Sequence, residues 1–386
     1  MLGNRKLVLN TLCEIYDLIK PYADEEFWDF SKCEIIPGAI YIIGRQQFHN
    51  HKELIYQLVQ DRVIYVVLCN PAEGSETINW MYRNFGLEEL MAAGHAAIIT
   101  GGYLSEHIPH LYHEHFLPLL LDYNENIQAI ADYQQLQTAN RPYKFLFLNG
   151  RARPPRKYLI QRFKLSGLIN ESLWSNLDDA IGMSGALSLI HNNTNIVRDQ
   201  IPIQYLPPMY EVDRYQVRAE AVPPRDLTDG FYAKHHLFNR EWGEIYIAPK
   251  PYLDTYFSLV TETVFDYPYA FRTEKLWKPI AIGHPFIVAS TPGFYKSLHN
   301  LGFKTFGHLI DESFDQVDNA QDRVEQIAKL VEDLCGQDLV SFLTAAEETC
   351  KYNQQLMVEL RPQIRQDFPQ RFEQFIHERF NLNHVR

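Results

Sequence analysis

Two α/β domains, each a parallel sheet covered by helices, with further helices at the C-terminus, are the fold that the sequence predicts. Three observations predict it. The chain has 386 residues, more than one small core organises and enough for two domains of ordinary size. Short apolar runs alternate with amphipathic stretches, the pattern of strands buried on both faces between crossover helices. Hydrophobic residues make up 46% and charged residues 22% of the chain, a composition that buries a core rather than staying unfolded.

The elements follow in order. Leu9, Leu12, Ile15, Tyr16 and Ile19 fall at helical spacing, which predicts an amphipathic helix over residues 7–20, closed by Pro21. Residues 39–44 read as a buried strand ending on Gly44, and residues 53–60 as a helix. Residues 63–69 form a second buried strand, broken by Asn70, Pro71 and Gly74. Ser75 caps the helix that follows, with Glu76 in its first turn. Residues 96–102 give a third strand and a turn at Gly101 and Gly102, which serves either close approach of a ligand or a plain reversal. The first domain is assigned residues 1–140.

A strand over residues 143–150 opens the second domain and runs into Arg151, Arg153 and Arg156. The helix beginning near Pro155 turns Leu159, Ile160 and Phe163 inward and stops at Gly167. A guanidinium is a planar fork suited to phosphate oxygens, so Arg151 and Arg156 are candidate phosphate ligands; an exposed basic turn is the plain alternative. Residues 201–224, rich in Pro, Tyr and charge, read as a long irregular insertion. Val324, Ile327, Ala328, Val331 and Leu334 share one helical face. The second domain is assigned residues 141–335, and residues 336–386 are expected to be helices packing back on the domains.

The segment with the most chemistry starts near Tyr256. A short strand, Phe257 to Val260 in the sequence, puts Glu262 at its carboxyl end, where open α/β sheets bind ligands. Thr273 caps the next helix and places Glu274 and Lys275 in its first turn. Backbone N–H groups there attract anions, and a lysine adds a full positive charge. A neighbouring carboxylate accepts two hydrogen bonds from a ribose diol. Gly283, His284 and Pro285 then turn the chain into a strand over residues 286–289, which ends at Ser290, Thr291, Pro292 and Gly293. The parts suit a nucleoside diphosphate.

Glu262, the run Thr273, Glu274, Lys275, Leu276 and Trp277, and residues 281–288 resemble the donor-binding motif of the α1,3-fucosyltransferases. They also resemble the exostosin-type and phage-encoded glycosyltransferases that share that half of the GT-B fold. The resemblance spans residues 256–306. It implies two Rossmann-like domains facing each other across a cleft, the second holding a nucleotide-sugar donor. By the same resemblance Glu274 holds the ribose, Lys275 meets the diphosphate, and Glu262 supports or contacts the ribose or sugar. Val260, Thr261, Glu262 and Thr263 stand where the fucosyltransferases carry Phe-Glu-Asn, which leaves the sugar open.

Transfer to a hydroxyl with inversion needs one base, expected from the first domain. Glu73 and Glu76 lie just past a strand's carboxyl end and are the catalytic candidates, although the helix dipole alone also favours carboxylates there. His107, His110, His113 and His115 cluster around Glu114, but Pro109 interrupts any helix and no zinc-protease order is present. They read as a polar loop lining the cleft, one of them an alternative base. Asp311 and Glu312 are possible metal ligands, yet no metal is expected, since Lys275 and Arg156 can neutralise the leaving diphosphate.

A net charge of −12 argues against nucleic acid as the main partner. No apolar run reaches membrane-spanning length, and the first residues do not read as a signal peptide. Five scattered cysteines without a CxxC pair suit a reducing compartment, so a cytoplasmic location is expected. The expected function is therefore a metal-independent glycosyltransferase with a nucleotide sugar and an unassigned acceptor: glycan, protein or modified DNA base. A phage-type enzyme acting on modified DNA bases and a non-catalytic scaffold are the alternatives.

Overall fold

The computed structural model describes residues 5–72, 87–102, 109–123, 140–151, 153–177, 247, 249–265 and 270–380. The chain divides into two compact units. The first comprises Met1–Pro118, Tyr269–Phe271 and Leu360–Arg386, and the second Leu119–Pro268 and Arg272–Glu359. The unit boundary near Pro118 precedes the expected one at residue 140. Of residues 336–386, those up to Glu359 fall with the second unit and Leu360–Arg386 with the first.

Six parallel strands form the sheet of the first unit: β1 (Leu7–Asn10), β2 (Glu25–Phe27), β3 (Ile40–Gly44), β4 (Tyr65–Asn70), β5 (Ala96–Thr100) and β6 (His110–Tyr112). Their spatial order is β2-β1-β3-β4-β5-β6. Helix α1 (Tyr16–Ile19) follows β1, α2 (Arg45–Gln60) follows β3, α3 (Leu87–Ala92) precedes β5, and α4 (Phe116–Tyr123) follows β6. The helix expected over residues 7–20 is therefore a strand plus a single helical turn. Leu7, Val8, Leu9 and Asn10 are all buried, as both faces of a parallel strand must be, and so short a run, three apolar residues and an asparagine, carries no period that separates strand from helix.

Alternation along these strands feeds a core on each face of the sheet. Val8, Tyr41, Ile43, Val66, Leu68 and Ile98 lie on one side, where α2 adds Phe48, Ile55 and Val59. Leu7, Leu9, Ile40, Ile42, Val67 and Ile99 lie on the other, joined by Phe368, Phe372, Ile376 and Phe380. Each such side chain contributes about 1.5–3 kcal/mol on burial.

The second unit holds four parallel strands: β7 (Tyr143–Arg151), β8 (Leu173–Leu177), β9 (Thr255–Thr261) and β10 (Phe286–Ala289). Their order is β10-β9-β7-β8. Helix α5 (Pro154–Leu165) follows β7, α6 (Pro249–Leu253) precedes β9, α7 (Glu274–Ala281) joins β9 to β10, and α8 (Phe294–Asn300) follows β10. Gly167 takes the left-handed conformation just past α5, the stop expected from the sequence. Helices α9 (Ala320–Cys335) and α10 (Leu339–Phe380) complete the described chain. Val324, Ile327, Ala328, Val331 and Leu334 all lie buried on α9. Among the described residues, no helix is long and apolar enough to cross a membrane.

Candidate functional site

In the second unit the strand that opens the sheet, β7, has β8 on one side and β9 on the other. The connections therefore leave in opposite directions between β7 and β9, and a crevice for ligands forms outside the carboxyl ends at such a reversal. Two hydrogen-bond networks occupy this edge.

The first joins β7, β9 and α5. Thr261 Oγ1 donates to Asn149 Oδ1 at 2.6 Å. Arg156 Nε donates to Thr261 Oγ1 at 3.1 Å, and Arg156 Nη2 reaches the carbonyl oxygens of Thr261 at 2.8 Å and Glu262 at 3.4 Å. Arg156 is buried. Its guanidinium thus clamps the end of β9, where the sequence suggested a phosphate ligand. Arg151 ends β7.

The second network sets the start of α7. Glu262 is buried directly after β9 and receives three donors. Thr273 N reaches Oε1 at 3.0 Å, Thr273 Oγ1 reaches Oε2 at 2.7 Å, and Thr263 N reaches Oε2 at 3.3 Å. Thr273 is the N-cap in extended conformation, and its hydroxyl oxygen accepts from Lys275 N and Lys275 Nζ, both at 3.3 Å. Lys275 Nζ also pairs with Glu274 Oε1 at 2.6 Å. Glu262, Thr273, Glu274 and Lys275 are therefore brought together as one constellation. Buried Leu276, Trp277, Ile280 and Ala281 anchor the helix that carries it.

The two carboxylates are driven apart. Burial, with Glu274 adding to it, raises Glu262 above the usual carboxylate range against the pull of Lys275 and the Thr273 bonds. Burial also acts on Glu274, but Lys275 and Lys278 outweigh it and hold that carboxyl below its usual range. Neighbouring acids separated in this way mark one group that keeps its charge and one that gives it up more readily. Glu274 with Lys275 is thus an ionised pair able to exchange partners with a polar ligand.

Side chains that the sequence reading passed over complete this edge. His284 is buried between Ser258 Oγ, 2.9 Å from Nδ1, and the Thr255 carbonyl oxygen, 2.7 Å from Nε2. A carbonyl only accepts, so Nε2 carries the proton and Nδ1 accepts from the serine. Burial, with the Arg141 charge adding to it, lowers His284 to about 3. Arg323 donates to the carbonyl oxygens of Ser290, Val317, Asp318 and Phe265, tying the loops after β9 and β10 to α9. Arg272, immediately before the cap, is buried and bonds Ser297 Oγ at 3.0 Å. Ala270 and Phe271 before Arg272 are the available signal for it, whereas Arg323, between Asp322 and Val324, carries none. Asp311 and Glu312 have local roles: Asp311 accepts from Ser313 N, and Glu312 from Thr305 Oγ1 and Phe306 N.

Glu73, Glu76 and His107 of the first unit lie outside the described residues, as do residues 201–224 of the second. His113 and Glu114 are buried rather than exposed on a polar loop. The His113 ring packs 4.4 Å from that of Phe368. Burial lowers His113 to about 3 and His115 to about 4, so both are neutral at physiological pH. Gly101 serves a close backbone approach: a Cβ there would lie 1.9 Å from the Pro71 carbonyl oxygen.

The sequence matches no protein-family model, and no curated protein matches it.

Proposed function

We propose that the chain is a glycosyltransferase of the GT-B kind and that the start of α7 receives the diphosphate and ribose of a nucleotide-sugar donor. The observation that carries this reading is the Glu262–Thr273 latch, which holds a Glu–Lys pair at a helix N-terminus on the carboxyl edge of a parallel sheet. A diphosphate takes Lys275 and the first-turn N–H groups, and Glu274 turns to a sugar diol. These fixed charges stabilise the leaving diphosphate without needing a metal. Arg156 acts as a positioning residue by fixing the end of β9. The first unit holds the acceptor and supplies the base, for which Glu73 and Glu76 remain the candidates. Acceptor, sugar and stereochemistry stay unassigned.

The test is a thermal-shift screen against nucleotide sugars and nucleoside diphosphates, run in parallel with Lys275→Ala. A true donor at a hundredfold excess over its dissociation constant should stabilise the protein by about 2.7 kcal/mol. The shift should vanish in the variant. If no nucleotide shifts the folded protein, or the shift survives in Lys275→Ala, the proposed donor site is wrong.

A further inference from the structure

The first unit carries its own strand reversal, between β1 and β3, and this edge is furnished differently. Cys69 lies near the end of β4 and pairs in register with Gly44 at the end of β3. Cys13 lies in the turn that leaves β1. Gly44 has an ordinary extended backbone with φ −67°, so glycine is needed there for space and not for conformation. A Cβ on Gly44 would lie 3.0 Å from Asn10 Oδ1, 3.3 Å from the Leu12 carbonyl oxygen and 3.4 Å from Cys13 Cα. The missing side chain lets the β1 turn close over the end of β3, which brings Cys13 toward Cys69.

The Cys13 and Cys69 sulfurs and a Glu14 carboxylate oxygen all lie within 4.8 Å of one another. In a tetrahedral zinc site with sulfur bonds near 2.3 Å, neighbouring ligand atoms stand about 3.8 Å apart. Closing the cluster on an ion therefore needs side-chain movement of about an ångström or less, within the reach of rotamers on a turn. A second observation points the same way. Asn10 is fully buried, its Nδ2 is committed to the Phe27 carbonyl oxygen at 3.2 Å, and its Oδ1 has no hydrogen-bond partner. That oxygen and the Cys13 Cα both border the space that a Gly44 side chain would fill.

We infer that Cys13, Cys69 and Glu14 form a site for a borderline-soft divalent cation such as Zn²⁺, with Asn10 Oδ1 placed to complete the shell. Two thiolates select such an ion over Mg²⁺ or Ca²⁺, which prefer oxygen throughout. Cys13 and Cys69 are buried and Glu14 is exposed, so the carboxylate side is the path of entry. The site belongs to the first unit and is independent of the donor reading.

Co²⁺ titration of the reduced full-length chain tests it, because cobalt reports its ligands in its spectrum. The expected result is sulfur-to-cobalt charge-transfer absorption that saturates at one ion per chain and is displaced by Zn²⁺. Cys69→Ser should abolish it, and Cys33→Ser should leave it unchanged. Glu14→Gln, an exposed change that does not endanger the fold, should weaken affinity at least tenfold, the lower end of what even outer-shell changes cost. Absence of the sulfur band overturns the site, as does a band that survives Cys69→Ser, or an affinity unmoved in Glu14→Gln.

Discussion

The two units share a strand plan and differ in how they finish it. In each, the first strand is flanked by the second on one side and the third on the other, so each has a reversal at the corresponding place. At the ends of β7 and β9 the second unit is densely hydrogen-bonded: Glu262 takes three donors, and Arg156 binds the Thr261 hydroxyl and the carbonyls of Thr261 and Glu262, while Thr291 Oγ1 beyond β10 is buried without a partner. The edge of the first unit leaves polar atoms of Asn10 and Asn70 buried without partners. Topology thus supplies a place for a ligand, and the residues at the strand ends decide its chemistry. One edge is a preorganised ionic cradle, and the other is a cluster of thiols and amides.

Removing the clamp breaks the contrast most sharply. Arg156→Met deletes bonds from a buried guanidinium to two backbone carbonyls and one hydroxyl, and should cost about 3–5 kcal/mol. Urea unfolding followed by amide exchange should show the loss in β7 and β9, with β3 and β4 protected as before. A uniform loss across both sheets would mean that the units do not differ in this way.

Acid sharpens the comparison. His284 titrates near 3 in the folded chain against 6.5 ordinarily, so between those values only the unfolded chain binds its proton. The stability that its burial allows is complete above pH 6.5 and is lost as pH falls, by about 1.4 kcal/mol per pH unit for each such proton. His284→Gln should flatten this slope for β9 and β10. Among the described residues the first unit has three depressed imidazoles, His95, His113 and His115, and it should lose protection more steeply. Equal slopes in wild type would contradict the assignment.

The smallest effect is at the cap. Thr273→Val removes the hydroxyl shared by Glu262 and Lys275, and should cost about 1 kcal/mol, with most of it restored in Thr273→Ser. Thermal denaturation measures it, and donor binding should weaken in step if the cap presets the lysine.

What was legible in the sequence was local. Thr273 before Glu274, with Leu276, Trp277 and Ile280 at helical spacing, declares α7 and its cap within a few residues. Strands β3, β4 and β5 announce themselves as short apolar runs. Strand β1 was misread because Leu9, Leu12, Ile15, Tyr16 and Ile19 happen to fit a helical period across a strand, a turn and one helical turn. Strand β2 has three residues and exposes two glutamates, so it shows no pattern. The clamp was illegible for another reason. Arg156 and Thr261 are 105 positions apart, and no spacing rule joins them. Helix α10 runs through Pro362 and Pro369, residues that ordinarily interrupt a helix.

That last helix has a consequence for biogenesis. Phe368, Phe372, Ile376 and Phe380 share a core with Leu7, Leu9, Ile40 and Ile42. Domains usually fold as they leave the ribosome, the N-terminal one first. Here the sheet of β1 to β6 lacks part of one face until residues 368–380 have been made. Until then strands β1 and β3 stay in an unfinished state that chaperones can recognise, and a truncation before Phe368 would damage the sheet they belong to.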